Sequence, residues 1–209
     1  MTPDAAGGPP APVGAGAAEL AASVDPAVAA LAVAAVPGGD AAMERDRLLL
    51  VDLIATHPDV ARRTCFPGHL TGSALVVDVS RRATLLVLHR KLGRWLQPGG
   101  HADGDTNLAA VAWREATEET GIGGLLIDLQ PLDLDIHLVD PPDDRPHLHL
   151  DVRYLVLAPS GAVASHNEES LEARWVPLDD LDDYRPDAGL VRLAGAARRR
   201  LGWRSSASC

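Results

Sequence analysis

Three carboxylates crowd one short run of this chain. Glu115, Glu118 and Glu119 fall within REATEETG, at positions i, i+3 and i+4. On a helix that spacing puts all three side chains on one face. Like charges so placed destabilise an isolated helix by a few tenths of a kcal/mol per pair, roughly. Their position near the helix C-terminus adds a further unfavourable interaction with the helix dipole. A hard divalent cation would resolve the conflict. Mg2+ takes oxygen ligands and is usually shared between a few carboxylates and the phosphates of a substrate. The glycine pair Gly99-Gly100, fifteen residues upstream of Glu115 at its nearer member, supplies backbone carbonyls or amides close to such a centre. The plain alternative is a solvated acidic face.

Several elements must position these residues. A helix is predicted over 107–120, with Leu108, Val111 and Ala112 as its buried stripe. Asp105 or Thr106 is the expected N-cap and Gly121 the expected C-terminal stop. Pro98-Gly99-Gly100 reads as a tight loop outside any regular element. Upstream, HLTGSALVVDVS and RRATLLVLHRK read as two strands joined near Asp78–Arg82. Downstream, HLHLDVRYLVLAP alternates. Leu148, Leu150, Val152, Tyr154 and Val156 face one way, and His147, His149, Asp151 and Arg153 the other. A short strand in EARWVPLDDLDDY and a closing amphipathic helix in DAGLVRLAGAARRRLGW follow. Mixed strands with helices between and after them imply an α/β layered domain.

The stretch from Gly100 to Ile122 resembles the Nudix box, G-x5-E-x7-R-E-U-x-E-E-x-G-U, where U is aliphatic. Gly100, Arg114, Glu115, Ala116, Glu118, Glu119, Gly121 and Ile122 fall on its positions. One position departs: Thr106 stands where the box has glutamate. The resemblance implies an α/β/α sandwich with a mixed β-sheet, here with an N-terminal helical extension. It also implies an Mg2+-dependent pyrophosphohydrolase, with Mn2+ as an alternative ion. Such an enzyme cleaves a nucleoside diphosphate linked to another group, by water attack at phosphorus. Carried over by position, Glu115, Glu118 and Glu119 are catalytic and metal-binding. The carbonyl of Gly100, or of its neighbour Gly99, completes the metal shell, and Glu169 is a further metal ligand from a loop beyond the box. Arg114, Thr106 and Gly121 are structural support. Asp103 and Asp105 are near enough to take the place of the missing glutamate. Thr106 also motivates the alternative, a Nudix-fold ligand-binding or regulatory module with weak or lost hydrolysis. Among family subgroups, the chain is most similar to the bacterial one with WLQPGGH before the box.

Outside the box, His101, His137, His149 and Arg94 are candidate substrate-binding residues. Imidazoles and a guanidinium suit phosphate, sugar or base. If the strands carrying them pair, the polar face that also holds His147 and Asp151 could line a pocket. It could equally be a solvated face or a transition-metal site, since two histidines at i and i+2 on a strand reach one ion. Trp95 is either a stacking platform or core, and Trp113 is packing.

Composition bounds the rest. The chain has 209 residues and a formal net charge of -10, which gives it no broad claim on nucleic acid or anionic membrane. The expected partner is a small phosphate-containing molecule, and a homodimer is left open. Cys65 and Cys209 form no disulfide framework, as suits a cytoplasmic protein. Residues 1–39 read as a low-complexity Ala/Pro/Gly-rich tail, disordered to residue 24, with one short helix from Pro26 to about Val36 capped by Asp25. Residues 40–66 form an N-terminal helix region with Met43, Leu48, Val51 and Ile54 as its apolar set, and 67–205 the Nudix-like domain.

Overall fold

The structure, a computed structural model, describes residues 14–140 and 145–203. Its elements are β1 (Gly14–Ala15), α1 (Pro26–Ala35), α2 (Ala41–Thr56), β2 (Gly68–Asp78), β3 (Ala83–His89), β4 (Arg94–Leu96) and β5 (Gly99–His101). They continue with α3 (Leu108–Thr120), β6 (Leu126–Asp128), β7 (Asp133–Val139), β8 (His147–Leu157), β9 (Ser170–Pro177) and α4 (Ala188–Arg200). All nine strands belong to one sheet. The central pair β2 and β8 is parallel, and every other pairing is antiparallel. The sheet is therefore mixed, as the sequence predicts.

Helices cover both faces. Leu70, Ala74 and Val76 of β2 and Leu150, Val152, Tyr154 and Val156 of β8 pack with buried residues of α1, α2 and α3. The alternate residues Leu75, Val77 and Leu155 pack with Leu190, Leu193, Ala194 and Ala197 of α4 and with the 3-10 turn at Leu178–Tyr184. The result is a three-layer α/β/α sandwich. Leu108 and Val111 of α3 are essentially fully buried, worth about 1.5–3 kcal/mol each. That outweighs the repulsion among the glutamates on the same helix, so packing and not propensity holds α3 in place.

Four expectations need correction. Gly99–His101 is not irregular: it is strand β5, paired with Thr71–Ser73 of β2. The side-chain-free glycines let the backbone lie flat against β2 and under α3. The segment before Asp25 does not hang free over its described part. Gly14 and Ala15 pair with Asp128 and Ile127 of β6, and Ser23 exchanges hydrogen bonds with Asp105 and Thr106. Residues 1–13 and the terminal Cys209 lie outside the described residues. On α2 the buried face is Met43, Leu50, Leu53 and Ile54, while Leu48 and Val51 are exposed, so the stripe is rotated from the expected one. Finally, neither Asp105 nor Thr106 caps α3. Asn107 does, its Oδ1 accepting from the Ala110 amide at 3.3 Å.

Candidate active site

α3 runs beneath the edge where β5 joins β2. Gly121 stops it in the left-handed region, at φ 64°, with its amide donating to the Thr117 carbonyl at 2.9 Å. Glycine takes that conformation without penalty. The three glutamates share the face turned toward β5 but not the same exposure. Glu118 is exposed, Glu115 is half-buried and Glu119 is buried. Glu119 accepts a hydrogen bond from the Gly99 amide at 3.2 Å. A Cβ added at Gly100 would meet the Glu115 carboxyl carbon at 2.5 Å, so any other residue there would displace the Glu115 carboxylate.

Arg114 does not point away, as its place on the helix suggests. Its side chain curls back so that Nη2 donates to Glu115 at 2.9 Å and to the His101 carbonyl at 3.0 Å. Among the described residues it is the one guanidinium bonded to any of the three box glutamates, and it bonds Glu115 alone. Burial raises the pKa of Glu119 to about 8, against the opposing Gly99 hydrogen bond and together with the charges of Glu115, Glu169 and Glu118. Glu115 is also raised, by burial first and then by Glu118 and Glu169, although Arg114 opposes this. Glu169, exposed just before β9, is thus close enough to act electrostatically on both Glu115 and Glu119. The tertiary fold brings it to the carboxylate helix from fifty residues downstream of Glu119.

Thr106 is not part of this group. It is buried, its amide donates to the Ser23 carbonyl at 2.7 Å, and its hydroxyl donates to the Asp25 carbonyl at 2.8 Å. Where the box has a charged residue, this chain anchors its own N-terminal segment. Neither neighbouring aspartate fills the gap. Asp103 is paired with Arg63 at 2.7 and 2.8 Å, and Asp105 accepts from the Ser23 and Asn107 amides.

The four candidate substrate residues separate. Arg94 pairs with Asp187 at the start of α4, at 3.1 Å. Trp95 packs edge-on against Tyr184 at 5.4 Å between centroids, in the core beneath α4, so it is packing rather than a free stacking platform. Trp113 donates to the Leu125 carbonyl at 3.0 Å. His101, His137 and His149 do come together, with His147 and a fifth histidine, His69. Register explains it: His69 lies opposite His149 across the parallel pair, and His137 lies opposite His149 on the other side. His101 lies opposite Thr71, two residues along β2 from His69 and on its face. The belt crosses four strands on the sheet face away from α3. Centroids of neighbouring rings lie 4.8 to 5.4 Å apart. Burial and mutual repulsion lower the pKa of His69 to about 4 and of His149 to about 3, and His101 is lowered as well.

Sequence reasoning missed His69. It opens a strand with no histidine repeat around it, and only the long-range pairing of β2 with β8 exposes its role. It missed Arg63 for the same reason: the pairing with Asp103 spans forty residues.

The family model of the NUDIX domain matches residues 69–199. A curated relative, the CMP-5'-(N-acetyl-N-hydroxy-3-aminopropyl)phosphonate hydrolase of Streptomyces rubellomurinus, is 34% identical over 119 residues, which is 52% of each chain. The chain thus spans about half the length of that relative. Among solved structures, a C. elegans Ap4A hydrolase in a binary complex aligns with a TM-score of 0.52 at 17% identity, over 64% of this chain and 97% of that one. The NUDIX domain of Shewanella oneidensis NrtR, complexed with ADP ribose, aligns with a TM-score of 0.50 at 22% identity, over 72% and 97%. At these identities the likeness is one of fold. With the box spacing, the layered fold and a family match over most of its length, the chain belongs to the NUDIX domain family.

Proposed function

We propose that the chain is an Mg2+-dependent hydrolase of a nucleotide joined through phosphorus to a second group, and that it cleaves by water attack at phosphorus. The observation that carries the reading is the uncompensated carboxylate face. Among the described residues Arg114 bonds only Glu115 of the group Glu115, Glu118, Glu119 and Glu169, and Glu119 is buried with its pKa raised to about 8. A fold that holds such groups together against burial and repulsion fits a site for a hard cation, whose preferred ligands are carboxylate and carbonyl oxygens. Mn2+ suits the same donors.

A divalent cation bound there would neutralise the spread charge of the phosphate oxygens and raise the electrophilicity of phosphorus. The chain's own residues do the rest. Glu118 and Glu119 would supply oxygen ligands to the cation, with the Gly100 carbonyl and Glu169, just before β9, as further ligands. Arg114 fixes the Glu115 carboxylate and the β5 backbone relative to each other. Glu115 orients the attacking water and takes its proton. One P–O bond forms to that water and the P–O bond to the leaving group breaks.

The Streptomyces relative is named for hydrolysis of a cytidylyl phosphonate, which favours a nucleotidyl phosphonate or phosphate as the substrate class. A cytoplasmic location accords with the buried free thiol of Cys65, and among the described residues no helix is long and apolar enough to cross a membrane. A panel of nucleoside diphosphate and nucleotidyl phosphonate derivatives tests the proposal in the presence of Mg2+. Turnover that collapses on Glu118→Gln supports it. Binding by calorimetry without turnover of any member would favour a ligand-binding module instead.

A further inference from the structure

The histidine belt lies on the other face of the sheet from the box glutamates, and the proposed hydrolysis does not use its most buried member. His69 is 2% exposed, and neither of its ring nitrogens has a hydrogen-bond partner. Leaving a polar group buried and unsatisfied costs about 1–3 kcal/mol. An imidazole so placed is either strained or waiting for a ligand. Its surroundings favour a ligand. Nitrogens of His69, His147 and His149 all lie within 4.8 Å of one another.

We propose that His69, His147 and His149 hold a borderline divalent transition-metal ion, Zn2+ being the representative case, at a site separate from the carboxylate helix. Three neutral nitrogen donors and no carboxylate among the three ligands suit Zn2+, Co2+ or Ni2+ and not Mg2+, which demands oxygen. A Zn–N bond of about 2.0–2.1 Å in tetrahedral geometry places ligand nitrogens roughly 3.3 Å apart. The rings need close only by about 1.5 Å at most, within reach of side-chain rotation.

The tautomer is already set at one ligand. His147 Nδ1 lies 2.8 Å from the Arg145 carbonyl. A carbonyl only accepts, so Nδ1 carries the proton and Nε2 is left with its lone pair. This is the arrangement by which metal-bound histidines are usually oriented, the second ring nitrogen donating to a backbone carbonyl or carboxylate. His101 flanks the trio, 5.0 Å from both His69 and His149 between centroids. Three histidines leave a fourth position open, and a cavity of about 440 Å3 bounded by Arg63, Thr64, Cys65, Arg145 and His147 adjoins the site. Of the two guanidinium groups on that cavity, Arg63 is balanced by its bidentate pairing with Asp103, and Arg145 lies over the Phe66 ring at 4.3 Å.

The proposal is tested on the full chain, stripped of metal and titrated with Co2+ in excess Mg2+, so that the carboxylate face is occupied by the harder ion. The expected result is one equivalent of Co2+ with visible d–d absorption. Its affinity should fall more than tenfold in His69→Ala and in His149→Ala, and persist in Glu118→Gln. A Co2+ signal that survives both histidine substitutions, or that vanishes in Glu118→Gln, would overturn it. Because His69 is buried and its replacement can compromise folding, the wild-type chain provides a second measurement. Zn2+ should shift the 15N resonance of His147 Nε2, and imidazole resonances unmoved by Zn2+ would refute the site. These readouts are of metal binding and not turnover, so they stand or fall apart from the hydrolase reading.

Discussion

Two acidic clusters sit on opposite faces of the same sheet, and they are built on opposite principles. On the α4 face, Asp133, Asp135 and Asp151 surround Arg153, which is 3% exposed. Its guanidinium lies 2.8 Å from Asp151, 2.9 Å from Asp135 and 3.5 Å from Asp133. Arg192 of α4 adds contacts of 2.9 Å to Asp133 and 2.7 Å to Asp135. Thr71 and Ser73 donate to Asp151 from β2. Burial opposes the charge of Asp135, but His137, Arg153 and Arg192 win, and its carboxyl is held well below the usual range. Asp133, with no exposed surface, is pushed up by burial despite both arginines. On the α3 face, Glu115, Glu118, Glu119 and Glu169 have Arg114 alone bonded among them. A compensated cluster joins strands to a helix. The uncompensated one is where the proposed cation would bind. Counting carboxylates does not separate the two, whereas counting guanidinium partners does.

The sharpest way to break the comparison is to neutralise one acid in the uncompensated cluster. Glu115→Gln or Glu118→Gln should lower kcat/KM by a factor on the order of 10²–10⁴, read in Mg2+-supported turnover, with little loss of stability. The compensated cluster should behave in reverse. Arg153→Met leaves buried Asp151 without its guanidinium and Asp133 and Asp135 with Arg192 alone, and should cost about 3–5 kcal/mol, read by urea unfolding. If it costs no more than Glu118→Gln does, the distinction fails.

One acid from each cluster, Glu119 and Asp135, should also give opposite slopes of stability against pH in metal-free protein. Glu119 is raised in the fold, so its contribution is fully present below the ordinary carboxylate range and is lost as pH rises through about 8. Asp135 is depressed, so its contribution is present above that range and is lost as pH falls through its lowered folded value. Urea unfolding from pH 5 to 9 should therefore show a decline toward alkaline pH that Mg2+ relieves and that Glu119→Gln removes. A profile unaffected by either would contradict the account of Glu119.

Smaller effects refine the boundary of the carboxylate site. Asn107→Ala removes the cap of α3 and should cost about 1 kcal/mol. Thr106→Val removes one buried hydrogen bond to Asp25, a loss of about 0.5–1.5 kcal/mol, and should leave Mg2+ affinity unchanged. A drop in Mg2+ affinity there would give Thr106 a part in the proposed metal site beyond structural support.

What a single helix turn can encode was legible in the sequence. The i, i+3, i+4 spacing of Glu115, Glu118 and Glu119 fixes a shared face for any helix that forms, and Gly121 ends that helix because it alone takes the left-handed conformation freely. Alternation in β8 likewise separated His147, His149, Asp151 and Arg153 from the apolar side. The sequence failed where local signals competed. Pro98-Gly99-Gly100 looks like a loop from its residues, but pairing with β2 makes its last two glycines strand. Arg114 lies off the glutamate face by helical position, yet its long side chain reaches back to Glu115.

By itself, then, the sequence determined the shared carboxylate face of α3, because the geometry of a helix is local. Which acids are balanced and which histidines meet was decided only by the tertiary structure. Asp133 and Arg192 are separated by 59 residues, and His69 reaches His149 only through the parallel register of β2 and β8. No local pattern carries that information, since parallel strands must be joined by a long crossover whose length hides the register.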